Sequence, residues 1–272
     1  MSTIALPVRY FRMQSRGLDD VRESNIRPHH AVWEIDSAES ALVLVDFWTT
    51  HILQSHLERC GEVIRRNIVP TLPLVRAAGF TVVHAPGFNI ARKYPGWERY
   101  AQEAELDPPK AAAPAAGRGL EWPPEAFRKR EGPFVPYARP FFEPEVLAKA
   151  DELFRIRRMP TAVEPEAEDY VIASGAQLHR LLADRKILHL FYMGFATNDC
   201  VLHKDYGVRA MGGRGYNVIL LRDCTTGVEN AESLPTYGDT RRALHYIELH
   251  HASSTAEALR RACLERGKAP RS

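Results

Sequence analysis

The chain has 272 residues, of which 45% are hydrophobic, 26% charged and 9% aromatic, with a formal net charge of +2. Such a chain can bury a sizeable core, which excludes a disordered or fibrous protein, and its near-neutral balance supplies no basic field for nucleic acid or a membrane surface. At roughly 150 residues per domain, the length allows either one large α/β domain or nearly two ordinary ones.

Residues 1–35, ending in RPHHAVWEI, read as an irregular N-terminal arm. The run ALVLV at 41–45 predicts a first strand that ends in Asp46, and Leu57 to Ala78 has helical period leading into Gly79. Thr81 to His84 predicts a second strand. Then the texture changes: 13 of the 19 prolines fall in residues 86–165, a block in which long uninterrupted helices and central strands are not expected. Beyond it come a short strand at 170–173, a helix at 176–184, a strand at 188–193, a helix at 199–211 closing on Gly212-Gly213, and a strand at 217–221 ending in Arg222-Asp223. Strands and helices alternate on either side of the block. This order predicts a three-layer α/β sandwich with a mostly parallel central sheet and Rossmann-like topology. Residues 36–272 are expected to form one domain, with a proline-rich insertion at about 86–165 acting as a lid or an oligomer arm. No internal repeat is present.

Cysteines at 60, 200, 224 and 263 form no CxxC pair, which points to a reducing compartment. The opening segment has no cleavable apolar stretch, and no apolar run approaches the roughly 18 residues of a membrane span. A cytoplasmic protein acting on a small molecule is expected.

In open α/β sheets, ligands bind beyond the carboxyl ends of the strands, which singles out two residues. Asp46 leaves a buried strand beside Phe47 and Trp48, where it is either a carboxylate that an aromatic setting would desolvate and raise in pKa or an N-cap or loop aspartate. Cys200, in GFATNDCV, falls in the first turn of a predicted helix, where unpaired amides favour a thiolate; the other reading is a small buried hydrophobe. Trp48, with Phe88, Tyr94 and Trp97, is a candidate aromatic wall for a planar substrate. Gly212-Gly213-Arg214-Gly215 lies between a helix and a strand, the reverse of the order a dinucleotide loop needs.

These features together resemble the isochorismatase-like cysteine hydrolases, a family that includes nicotinamidases and N-carbamoylsarcosine amidohydrolases. The resemblance rests on Asp46 after ALVLV and on Gly194, Thr197, Cys200, Val201, Ala210, Gly215, Tyr216 and Asp223 in the family's spacing; it covers roughly residues 40–85 and 170–264. It implies that Cys200 is the nucleophile and Asp46 its general base. A cis peptide between Phe195 and Ala196 is implied as well, with the N–H groups of Ala196 and Cys200 forming an oxyanion hole. Thr197 and Trp48 would lie against the substrate. The family's third-strand lysine is missing: Val171-Ile172-Ala173 is followed by Ser174. Three readings stand. A lysine of the insertion supplies the cation, Lys93 first and Lys129 second; Ser174 or Gln177 binds the substrate without charge; or amidase activity has been lost.

The sequence also lacks the Asp-x-His set with which some nicotinamidases bind a metal, so neither a metal nor another cofactor is expected. His51 and His56, and likewise His245 and His250, are five apart and poorly placed on one helical face. His84, at a strand end, is a candidate for the pocket wall. The resemblance implies a homo-oligomer that hydrolyses a C–N bond in a small amide, ureide or carbamoyl compound through a thioester. The alternatives are an isochorismatase-type ether hydrolase, in which the thiol is dispensable, and an inactive binding protein.

Overall fold

A computed structural model describes residues 3–107 and 122–266; residues 108–121 of the insertion and 267–272 of the expected domain lie outside the described residues. The strands are β1 (Thr3–Met13), β2 (Ile26–Asp36), β3 (Ser40–Val45), β4 (Thr81–Ala85), β5 (Tyr170–Val171), β6 (His189–Phe195), β7 (Asn217–Thr226) and β8 (Ala252–Ser254). The helices are α1 (Gln54–Val63), α2 (Leu72–Ala77), α3 (Phe88–Ala91), α4 (Glu125–Lys129), α5 (Pro144–Ile156), α6 (Gly175–Asp184), α7 (Cys200–His203), α8 (Val208–Gly213), α9 (Gly238–His250) and α10 (Ala256–Leu264).

All eight strands join one sheet in the order β2-β1-β8-β7-β6-β3-β4-β5. Strands β3 to β8 pair in parallel, and the expected three-layer, mostly parallel architecture is present. Alternation along β3 explains the layers. Leu42 and Leu44 enter one core with Cys60, Ile68 and Val75, whereas Ala41, Val43 and Val45 enter another with Leu178, Val201 and Met211. Helices α1, α2 and α10 therefore cover one face and α6, α7, α8 and α9 the other.

Four expectations need correction. Residues 3–36 are not irregular: β1 and β2 form an antiparallel ribbon from Thr3 opposite Asp36 to Met13 opposite Ile26. Burial of Ile4, Leu6 and Val8 against exposed Thr3, Ala5 and Pro7 follows the period-two pattern of a half-buried strand. The predicted helix at 57–78 is broken by a π-turn at Ile64–Ile68 before Pro70, and α2 restarts with a proline in its first turn. The predicted helix at 199–211 divides into α7 and α8. Finally, the proline-rich insertion does hold a helix of 13 residues, because Pro144 occupies the first turn of α5, where no N–H is needed.

Close packing of β3 and β6 positions the carboxyl edge of the sheet. Val45 pairs with Gly194, and Gly194 has φ +128 with its missing Cβ only 2.0 Å from the Val45 carbonyl oxygen. A side chain there would push apart the strands that deliver residues 46 and 195–200. Among the described residues no helix is long and apolar enough to cross a membrane.

Gly194→Ala is expected to cost about 3 kcal/mol or more in urea unfolding. Gly213→Ala, at a helical glycine with nothing within 4 Å of its Cβ direction, should be neutral or slightly stabilising; equal effects at the two positions would contradict this packing argument.

Candidate active site

The register of β3 with β6 brings Asp46 and Cys200 to the same edge of the sheet. Both are buried, and both line a cleft of about 490 Å³ together with Trp48, Phe88, Arg157 and Lys204. Asp46 has left-handed backbone (φ 51), and its N–H donates to the Ala85 carbonyl. The hydroxyl of Tyr206 lies 3.5 Å from Asp46 Oδ1, and Oδ2 has no hydrogen-bond partner among the described residues. Burial raises this carboxyl to about 6, against the opposing charges of Lys204 and Arg157. That outcome agrees with the aromatic setting read from the sequence.

The Phe195–Ala196 peptide is cis, as the family resemblance implied. The following turn is tied by the N–H groups of Asp199 and Val201 to the Ala196 carbonyl. Cys200 opens α7, but its thiol is not lowered as the predicted helix suggested. Burial pushes it up, and the neighbouring Asp46 carboxylate pushes it further. With α7 only four residues long, local desolvation and charge decide the protonation state.

The positive charge in the cleft comes from two residues the sequence reasoning missed. Arg157 follows α5 and is 6% exposed, with its guanidinium carbon 4.1 Å from the Trp48 ring centroid and 4.4 Å from that of Phe154. Burial lowers it to about 10, opposed by Asp46 and Cys200, so it remains charged at neutral pH. Lys204 stands one helical turn after Cys200 and also lines the cleft. Its spacing from the cysteine was a readable signal. Arg157 had none, because only the path of the insertion brings it back to the sheet.

That path is fixed by hydrogen bonds. Thr49 N–H donates to the Arg158 carbonyl at 2.9 Å, and Arg158 N–H to Thr49 Oγ1 at 3.0 Å. Thr50 Oγ1 donates to the Leu153 carbonyl. Lys93, the first candidate for the missing cation, is not in the cleft: its ammonium donates to the carbonyls of Arg155 and Arg157 at 2.8 and 2.7 Å. Lysine thus holds the backbone of the arginine that reaches the site. Lys129 pairs with Glu125 at the surface.

Other candidates also fall elsewhere. Ser174 caps α6, accepting from the Gln177 N–H and donating to Glu105, while Gln177 Oε1 accepts from the N–H groups of Ala173 and Ser174. Thr197 is buried with its hydroxyl 2.6 Å from that of Thr225, because the tight turn after Ala196 directs it inward. Neither Ser174 nor Thr197 lines the cleft with Asp46 and Cys200. His84 is buried against Asp169 at 3.0 Å. Although burial opposes it, hydrogen bonds from His84 and Arg76 hold the Asp169 carboxyl at about 2, and the cluster ties β4 to the edge strand β5. Trp48 and Phe88 line the cleft as expected; Tyr94 instead donates to Glu164 and accepts from the Met159 N–H. Among the described residues no group of three His, Cys, Asp or Glu side chains is arranged to hold a metal ion.

Comparison with known proteins agrees with this architecture. Residues 142–235 match the family model described as the isochorismatase domain; that stretch contains Arg157, Cys200 and Lys204, while Asp46 lies outside it. A solved cysteine hydrolase from Pseudomonas syringae pv. phaseolicola is 15% identical, with 86% of this chain and 96% of that chain covered at a TM-score of 0.53. An N-carbamoylsarcosine amidase from Thermoplasma acidophilum is 13% identical, with 80% and 97% covered at a TM-score of 0.41. No curated protein matches. The isochorismatase-like resemblance read from the sequence is borne out by the family model over residues 142–235, and the fold agrees with that of the Pseudomonas cysteine hydrolase.

Burial of an ionised Asp46 has a measurable consequence for stability. Its folded pKa lies above the unfolded value of 3.8, so the fold favours the protonated form, and that stabilisation is lost as pH rises through about 6. An asparagine side chain would mimic the protonated carboxyl and tolerates left-handed backbone. Asp46→Asn should therefore raise unfolding free energy at pH 8 by about 3 kcal/mol, with the gain shrinking toward pH 4; a loss of stability at pH 8 would contradict the assigned desolvation.

Proposed function

We propose that this isochorismatase-like chain is a cysteine-dependent hydrolase that cleaves a C–N bond in a small amide, ureide or carbamoyl compound. One observation carries the reading: a buried carboxyl at about 6 and a buried thiol open onto one cleft, whose other charged lining residues, Arg157 and Lys204, are positive.

The chemistry follows from these positions. With its thiol pushed up, Cys200 needs a base at the moment of attack, and Asp46 supplies one. Desolvation makes Asp46 a stronger base than an ordinary aspartate, while leaving it mostly ionised at neutral pH. The thiol proton passes to Asp46, the sulfur bonds to the substrate carbonyl carbon, and the carbonyl π pair moves onto oxygen. The N–H groups of Ala196 and Cys200 receive that oxyanion. Collapse re-forms the carbonyl and breaks the C–N bond, with Asp46 returning its proton to the leaving nitrogen. The product is ammonia or an amine, together with a thioester on Cys200. Water attacks the thioester, Asp46 takes the water proton, and the departing sulfur recovers a proton as the acid is released. Arg157 and Lys204 offset the negative charge that attack moves from Asp46 to the carbonyl oxygen.

Ammonia release from a panel of primary amides, ureides and carbamoyl amino acids tests the reading. Cys200→Ala is expected to lower kcat/KM by about a thousandfold or more, and Asp46→Asn by about a hundredfold or more. In the unaltered chain kcat/KM should rise with pH and level off above about 6, the pKa of the base. Full activity in Cys200→Ala would instead support an ether hydrolase, and no turnover of any compound would support an inactive binding protein.

A further inference from the structure

We propose that Arg157 sets the specificity of the cleft, selecting a small monoanionic substrate whose carboxylate sits against the guanidinium while its scissile carbonyl faces Cys200. This rests on the reading of Asp46 and Cys200 as the reacting pair, and it names the substrate class that pair acts on.

Arg157 is more than nine-tenths buried, yet its Nε and Nη2 have no hydrogen-bond partner among the described residues. Buried donors on a charged group are costly to leave unmet, so such an edge calls for an acceptor. Asp46 does not serve as that acceptor: its Oδ1 is near Tyr206 and its Oδ2 is itself without a partner. Arg157 lines the cleft, and its Nε and Nη2 edge, closed over in the free protein, carries two parallel N–H bonds, the geometry that a planar carboxylate accepts with both oxygens once the covering side chains move aside. Trp48 and Phe154 pack against the guanidinium and limit its rotation, and the bonds from Thr49, Thr50 and Lys93 hold the backbone that carries it. Preorganisation of this kind reduces the ordering cost of binding.

Charge balance points the same way. Arg157 and Lys204 contribute two positive charges to the lining and Asp46 one negative charge, which leaves a single positive charge for the ligand to match. The cleft, at about 490 Å³, suits a small molecule.

Alkylation of Cys200 reads this preference independently of turnover. Iodoacetate and iodoacetamide both transfer a two-carbon group to sulfur with loss of iodide, and they differ in carrying a carboxylate or a neutral amide. The ratio of their rates at Cys200, followed by mass spectrometry of its peptide, is compared with the ratio for glutathione. In the unaltered chain the Cys200 ratio should exceed that of glutathione by about tenfold or more. It should fall to the glutathione value in Arg157→Gln and partly recover in Arg157→Lys. Propionate should protect Cys200 from iodoacetamide, whereas sodium chloride at equal ionic strength should not, a measurement that needs no variant. A wild-type ratio equal to that of glutathione, an elevated ratio retained in Arg157→Gln, or equal effects of propionate and chloride would overturn the assignment. Anion preference without hydrolysis of any amide would overturn the hydrolase reading alone; hydrolysis of neutral amides without anion preference would overturn this one alone.

Discussion

A carboxylate buried at the end of β3 is the constraint around which the rest of the site is arranged. Asp46 leaves the sheet where β3, β4 and β6 run side by side, so its surroundings are almost entirely protein and its charge is poorly solvated. Two responses are available to such a group: it takes up a proton, or it finds positive charge. Here both operate. Its pKa rises to about 6, and Lys204 and Arg157 limit the rise. The group is left ionised at neutral pH yet basic, which is the condition a general base requires.

Positive charge reaches Asp46 by an unusual route. Residue 174, after the edge strand, is a helix-capping serine at the position where the family resemblance implied a lysine. The insertion between β4 and β5 instead returns over the carboxyl edge and drops Arg157 between Trp48 and Phe154. Residues 153–158 of this strap are latched from two sides, by Thr49 and Thr50 after β3 and by Lys93 after α3. Guanidinium and ammonium groups are not equivalent. Arginine keeps its charge when buried and offers a fixed fork of donors, so the substitution also brings a recognition surface that a lysine would lack.

Much of the fold was legible because it depends on local periodicity. Five parallel strands, the alternation with helices and the positions of Asp46 and Cys200 all follow from short apolar runs and what terminates them. The N-terminal ribbon carried a weaker signal: Ile4, Leu6 and Val8 alternate correctly, but β1 is interrupted by Pro7 and followed by charged residues, which made the segment read as irregular. β8 is three small residues long and carries almost no pattern. Within the site, Lys204 was readable from its one-turn spacing after Cys200. Arg157 was not, because nothing local distinguishes it from Arg155 or Arg158; only the tertiary path of the insertion selects it. The same path explains why Lys93 is a positioning residue, and the turn after Ala196 explains why Thr197 faces Thr225 instead of the cleft.

The dependence of Cys200 on Asp46 is tested most directly by the rate of iodoacetamide alkylation at Cys200, followed from about pH 4.5 to about 8.5 in the unaltered chain and in Asp46→Asn. The account predicts an inflection near pH 6 in the unaltered chain, where Asp46 becomes ionised, and its disappearance in the variant. Identical profiles in the two proteins would contradict it.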